Sequence, residues 1–119
     1  MSNDPLRLSD YLTHILQAVE RIIRYCESMD ESAFLLNELV QNAVIRNFEI
    51  LGEASSKILK SYPDFAKSNP ELPLTAAYQL RNALSHGYFK VDYQIVWQTI
   101  CTDLPKLPQQ LKNTIDALR

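Results

Sequence analysis

The run Arg81-Asn82-Ala83-Leu84-Ser85-His86-Gly87-Tyr88 brings three kinds of chemistry into eight residues. A guanidinium grips a phosphate with a planar fork of donors. An imidazole moves a proton near neutral pH. A phenol hydroxyl offers a handle for covalent modification. At roughly 100° per residue, positions five apart on a straight helix diverge by about 140°. Arg81 and His86 therefore meet only if the helix ends or tightens near Ser85, or if the long Arg side chain bends toward the C-terminus. Asn82 and His86 are four apart and share a face. These residues allow two readings. In one, Arg81, Asn82 and His86 form a phosphate-and-proton site at a helix end. In the other, Arg81 is a surface cation and His86 a favourable charge at the C-terminal end of the helix dipole.

The elements that must position these residues read as helices. Asp4-Pro5 has the character of a helix start, with Asp as cap and Pro at the first helical position. Leu8, Tyr11, Leu12, Ile15, Leu16, Val19, Ile22, Ile23 and Cys26 follow at three- and four-residue steps, so a first amphipathic helix is predicted to end near Ser28 or Met29. Its outer face carries His14, read as a surface residue. Asp30-Glu31-Ser32 caps a second helix predicted to run unbroken to about Tyr62, where Pro63 stops it. That helix is longer than average and apolar over more than one face, as expected of one with two neighbours. Asn42, Arg46, Glu49 and Glu53 form a polar stripe along it, either a solvated face or the border of a cleft. Residues 63–73 form a connection with one short turn of helix at Asp64 to Lys67. Ala76-Ala77-Tyr78-Gln79-Leu80 is helix-favouring. A third helix is predicted over Leu74 to His86, with Gly87 as its terminator and Tyr88 just beyond. Asp92 caps a fourth helix, interrupted by Pro105 and Pro108. The fold expected is all-α: an antiparallel up-and-down four-helix bundle, one domain over residues 1–119.

Composition narrows the function classes. Two glycines in 119 residues argue against an all-β fold, which needs Gly-rich turns. A formal net charge of -2 is not the balance of a general nucleic-acid binder, so an RNA-directed role requires a local basic patch. Cys26 and Cys101 make no metal or redox motif by spacing and are expected to be buried thiols. No apolar run resembles a signal peptide or reaches membrane-spanning length, and a reducing cytoplasm is the expected location. No His, Cys or carboxylate constellation suits a metal, and no cofactor is expected.

Arg81-x4-His86-x-Tyr88, within RNALSHGYFKVDYQIVW, resembles the Arg-x4-His-x-Tyr signature of the HepT-like toxins, which belong to the HEPN superfamily of helical ribonucleases. VIRNFEILGEASSKI, residues 44–58, resembles that family's second helix, and the likeness spans nearly the whole chain. Many relatives carry Pro-Trp before the Arg helix, where this chain has Pro73-Leu74. That departure bears on packing and removes no catalytic group. The resemblance implies a helical bundle that forms a symmetric homodimer, with the Arg-x4-His segments of two protomers facing across a cleft. It implies a toxin–antitoxin system in which a nucleotidyltransferase antitoxin transfers AMP onto the Tyr of the motif, here Tyr88.

The chemistry of such a site needs no metal. The substrate's own 2′-OH attacks the adjacent phosphorus, His86 takes or gives a proton, and Arg81 holds the phosphate oxygens as charge builds on them. Asn82 orients His86 or donates to phosphate. Single-stranded or looped RNA, such as tRNA or mRNA, is the expected substrate, because its bases and 2′-OH groups are accessible. The alternative is a non-catalytic helical subunit of a nucleotidyltransferase complex, with Arg81 and His86 binding a nucleotide or a partner.

Overall fold

The computed structural model describes residues 5–86 and 91–118; the side chains of residues 5, 6 and 86 are outside the description. The proposed cap Asp4, the terminator Gly87 and Tyr88 also lie outside the described residues. Among the described residues there are seven helices and no strand. They are α1 (Pro5–Cys26), α2 (Glu31–Leu35), α3 (Glu38–Ser61), α4 (Pro63–Ser68), α5 (Leu74–His86), α6 (Tyr93–Thr102) and α7 (Leu107–Ala117). The all-α expectation holds. The count of four helices is corrected, because two of the long expected segments are each divided and the connection holds a helix of its own.

The first division falls inside the long second helix. Leu36 closes α2, and Asn37 caps α3 by accepting from Val40 N–H at 3.0 Å. A short amide at that position competes with the backbone for its own donors, which favours a new start over continuation. The break is sealed by Gln41, whose buried amide nitrogen donates to the carbonyls of Phe34 and Leu35 at 3.0 and 3.1 Å. The Phe34 carbonyl also accepts from Asn37 N–H at 3.2 Å, so Gln41 adds a second bond there and supplies a partner to that of Leu35 at the helix end. Asp30 caps α2 as expected, accepting from Ala33 N–H at 2.8 Å. The second division separates α6 from α7 at Asp103–Lys106, where Pro105 interrupts. Pro108 sits in the first turn of α7, where its missing N–H costs no helical bond. The turn predicted at Asp64 to Lys67 is α4, and Asp92 caps α6 through Gln94 and Ile95 N–H.

Helix α3 is the hub. It packs on α1 and α5 and touches α2 and α4, while α7 lies on α1 and α2 on α6. Arg21 donates to Asn47 at 3.3 Å, and Arg7 lines a cavity with Lys60, so α1 and α3 run antiparallel. The core is built from the predicted stripes: Leu12, Val19 and Ile22 of α1, Val44, Phe48 and Ile58 of α3, and Leu111 of α7 are essentially inaccessible. Phe34 anchors α2 against α6, its ring 5.2 Å from that of Trp97 and 6.2 Å from that of Tyr93. Cys26 is buried as expected, and burial pushes its thiol up to about 11. Cys101 is exposed, which corrects the expectation. It follows Ile100, the residue that α6 turns inward, by about 100° of helix rotation. Among the described residues no helix is long and apolar enough to cross a membrane.

Candidate active site

Arg81 is placed by a glycine. At Gly52, in the middle of α3, an added Cβ would overlap the Cβ of Arg81 and lie 2.9 Å from the carbonyl oxygen of Ala77. Only a residue without a side chain lets α5 come this close to α3. Glycine inside a helix costs about 0.5–1 kcal/mol relative to alanine, and the close approach is what offsets it. One residue on, Glu53 accepts from Nη2 of Arg81 at 2.9 Å. On the other side Nη1 of Arg81 donates to the side-chain oxygen of Asn82 at 3.0 Å. A guanidinium has five N–H donors. Among the described residues two of them are committed, and the head is held in place with donors to spare.

The half-buried Arg81 opens onto a surface cavity of about 630 Å³. Ser85 of α5, Arg46, Glu49 and Glu53 of α3, and His14 of α1 share its lining. The polar stripe is thus largely a cleft border: Arg46, Glu49 and Glu53 reach the cavity, and Asn42 is not among its lining residues. His14, read from sequence as a surface residue, is exposed but stands on the same cavity as Arg81. Helix α5 is described through His86. The His86 side chain and all of Tyr88 lie outside the described residues. Asn82 has its carbonyl oxygen engaged by Arg81, which leaves its amide nitrogen as the donor for an imidazole or a phosphate. Leu74 is buried at the start of α5.

Gly52 carries no role in the sequence alone, and Tyr11, expected on the apolar stripe of α1, also lines the cavity, with His14. A signal for the first was present: an isolated glycine inside a strong helical pattern marks a close approach. None existed for His14, because α1 and α5 come to line one cavity only through their separate packing on α3. Among the described residues no group of three or more His, Cys, Asp or Glu could hold a metal ion. The chemistry on offer among the described residues is a fixed cation and an adjacent amide, with the imidazole of His14 on the lining of the same open cavity.

Known proteins resemble this chain in sequence. A protein of Thermococcus cleftensis named "Probable ribonuclease HepT" is 39% identical over 110 residues, covering 92% of this chain and 94% of the relative. "Putative RNase MJ1380" of Methanocaldococcus jannaschii is 34% identical over 102 residues, 86% of this chain and 91% of that protein. "Putative RNase TTE0752" of Caldanaerobacter subterraneus is 32% identical over 105 residues, 88% and 91% of the two chains. No solved structure matches the chain. The family model described as "Ribonuclease HepT-like" matches residues 15–114, a span that holds the Gly52–Arg81 contact and the whole Arg-x4-His-x-Tyr motif, and the chain therefore belongs to the HepT-like ribonuclease family.

Proposed function

We propose that this chain is a metal-independent endoribonuclease, the toxin of a toxin–antitoxin pair, with Arg81 and His86 as its catalytic residues. The observation that carries the reading is the seating of Arg81: clamped by Glu53 and Asn82 at the edge of an open polar cavity, it is pre-positioned to take a phosphate. The relatives' names, all those of ribonucleases, support the same class of reaction. The substrate's 2′-oxygen attacks the adjacent phosphorus while a base takes its proton. The P–O5′ bond breaks as an acid protonates the leaving oxygen, giving a 2′,3′-cyclic phosphate and a 5′-hydroxyl. His86 serves in proton transfer, and Arg81 stabilises the charge on the non-bridging oxygens. In a symmetric homodimer one protomer's imidazole acts as base and the other's as acid. Leu36 and Leu39, 88% and 81% exposed, support an assembly that covers them.

Control falls to Tyr88. A nucleotidyltransferase antitoxin transfers AMP from ATP to its phenol oxygen with release of pyrophosphate. The attached phosphate, two residues from His86, then competes with RNA for Arg81.

The deciding experiment incubates labelled RNA with the purified protein in EDTA, alongside His86→Ala, His14→Ala and Tyr88→Phe. Cleavage in EDTA that His86→Ala abolishes and His14→Ala retains supports the assignment. Loss in His14→Ala with retention in His86→Ala moves the proton-transfer role to α1. Tyr88→Phe should still cut RNA and escape silencing by the partner, and intact mass should show AMP on the unmutated chain only. Binding without turnover in every sample favours the alternative, a nucleotide-binding subunit of a nucleotidyltransferase complex.

A further inference from the structure

Beside the Arg81 cavity lies a second one, of about 460 Å³, between the start of α1 and the end of α3. The two share Arg7, Tyr11, Glu53 and Lys57, so they form one continuous groove, and the second adds Lys60. The charge along this groove runs against that of the molecule. It gathers five of the chain's twelve Lys and Arg but only two of its fourteen Asp and Glu. The result is a local excess of three positive charges on a chain whose net charge is -2. One of those two carboxylates, Glu53, is already held by Arg81. Among the described residues Lys57 and Lys60 make no ion pair. They are three apart on α3 and therefore project from the same face. Opposite them stands the half-buried Tyr11, its hydroxyl accepting from Nε of Arg7 at 3.2 Å and its ring centroid 6.0 Å from the Arg7 guanidinium carbon.

We infer that this groove is a flanking-nucleotide subsite, in which Lys57 and Lys60 bind a backbone phosphate of single-stranded RNA and Tyr11 stacks on a base. The inference rests on the ribonuclease reading of Arg81 and extends it along the substrate. Seven residues of α3 from Glu53 to Lys60 span about 10 Å. That exceeds one stacked nucleotide step of about 3.4 Å, so the lysines meet a phosphate beyond the scissile one. An aromatic face beside a cationic track is the arrangement by which proteins hold single strands without reading their sequence. Duplex RNA, its bases already stacked, has no use for the ring.

The test is equilibrium binding by fluorescence anisotropy with a labelled 2′-O-methyl single-stranded oligonucleotide, which cannot be cleaved by 2′-OH attack. Lys57→Ala/Lys60→Ala should weaken binding roughly tenfold, the size of one charge-assisted hydrogen bond. The slope of log affinity against log salt should become shallower by about 0.7 for each phosphate that is no longer neutralised. Lys57→Arg/Lys60→Arg should restore both, which separates a missing charge from a damaged fold. Tyr11→Leu should weaken single-strand binding and leave the salt slope unchanged. Unchanged affinity and salt slope in the double Ala variant overturn the subsite, as does equal weakening for duplex and single strand in Tyr11→Leu. Failure of the unmutated protein to cut RNA would sink the catalytic reading alone, since the binding measurement does not depend on cleavage.

Discussion

Arg81 and Glu53 form an ion pair whose side chains are 35% and 51% exposed. A pair this accessible contributes on the order of 0–1 kcal/mol to stability, so its consequence is position rather than stability. Glu53→Gln should leave the urea-unfolding midpoint almost unchanged and lower kcat for RNA cleavage about tenfold, because Arg81 loses one of its two anchors. Arg81→Lys should lose about 10²- to 10³-fold, close to Arg81→Ala, since an ammonium cannot reproduce the planar fork. Equal activity of the Lys variant and the unmutated protein would show that charge alone suffices. The two cysteines should also part company. Cys101 should react with a thiol reagent at pH 8, and Cys26, buried with its pKa raised to about 11, should not. Above the ordinary thiol value of 9.0 the unfolded chain gives up the Cys26 proton while the folded chain keeps it. The associated stability is complete below that pH and is lost as pH rises through about 11. Unfolding of Cys26→Ala should show a weaker loss over that window than the unmutated chain.

At the scale of elements, the α3–α5 contact decides whether there is a site. Gly52→Ala sets a methyl against a Cβ and a backbone carbonyl, neither of which can swing aside. Overpacking of this kind costs about 1–3 kcal/mol, and relief comes only by pushing α5 away from α3. The expected outcome is a lower urea midpoint together with a fall in activity larger than that of Glu53→Gln. A stable, fully active Gly52→Ala protein would show that the Arg81 seat tolerates displacement. The α2–α3 break has a different purpose in the fold. It lets Phe34 turn onto Trp97 and Tyr93 of α6, which a straight continuation of α3 could not do.

The whole molecule measures 43 × 29 × 20 Å, so its thin dimension is about two helix diameters. A layer that thin leaves its edges open, and the Arg81 groove is one such edge, where α1, α3 and α5 meet. Another carries Leu36 and Leu39 at the α2–α3 junction, with Ile95 of α6 also exposed. Contiguous exposed apolar patches mark interaction sites, and a symmetric dimer is the association proposed for this one. Light scattering at micromolar concentration should give a dimer, and Leu36→Asp/Leu39→Asp should give a folded monomer with reduced cleavage. A double variant that stays dimeric would place the interface elsewhere.

Much of this was legible in the chain. The three- and four-residue apolar steps foretold α1 and the inward residues of α3, α6 and α7, and the helix-favouring run Ala76–Leu80 foretold α5. Pro63, Asp92 and the Pro105–Pro108 pair marked boundaries where they occur. All are local effects, set by helix period, caps and missing donors within a few residues. The Arg-x4-His-x-Tyr motif identified the family for the same reason, since its residues are neighbours in sequence. Tertiary structure decided what depends on residues far apart in the chain. Asn37 alone could not announce a break, because the bonds that seal it come from Gln41 after the chain has turned. Cys101 could not be told from a buried thiol, because its position alone does not say which side of α6 is covered. Arg81 became a seated cation only when Gly52 let α5 reach α3, and His14 and Tyr11 joined it only when α1 lay antiparallel along the same helix. Periodicity names the faces of a helix; which face meets which is settled by packing alone.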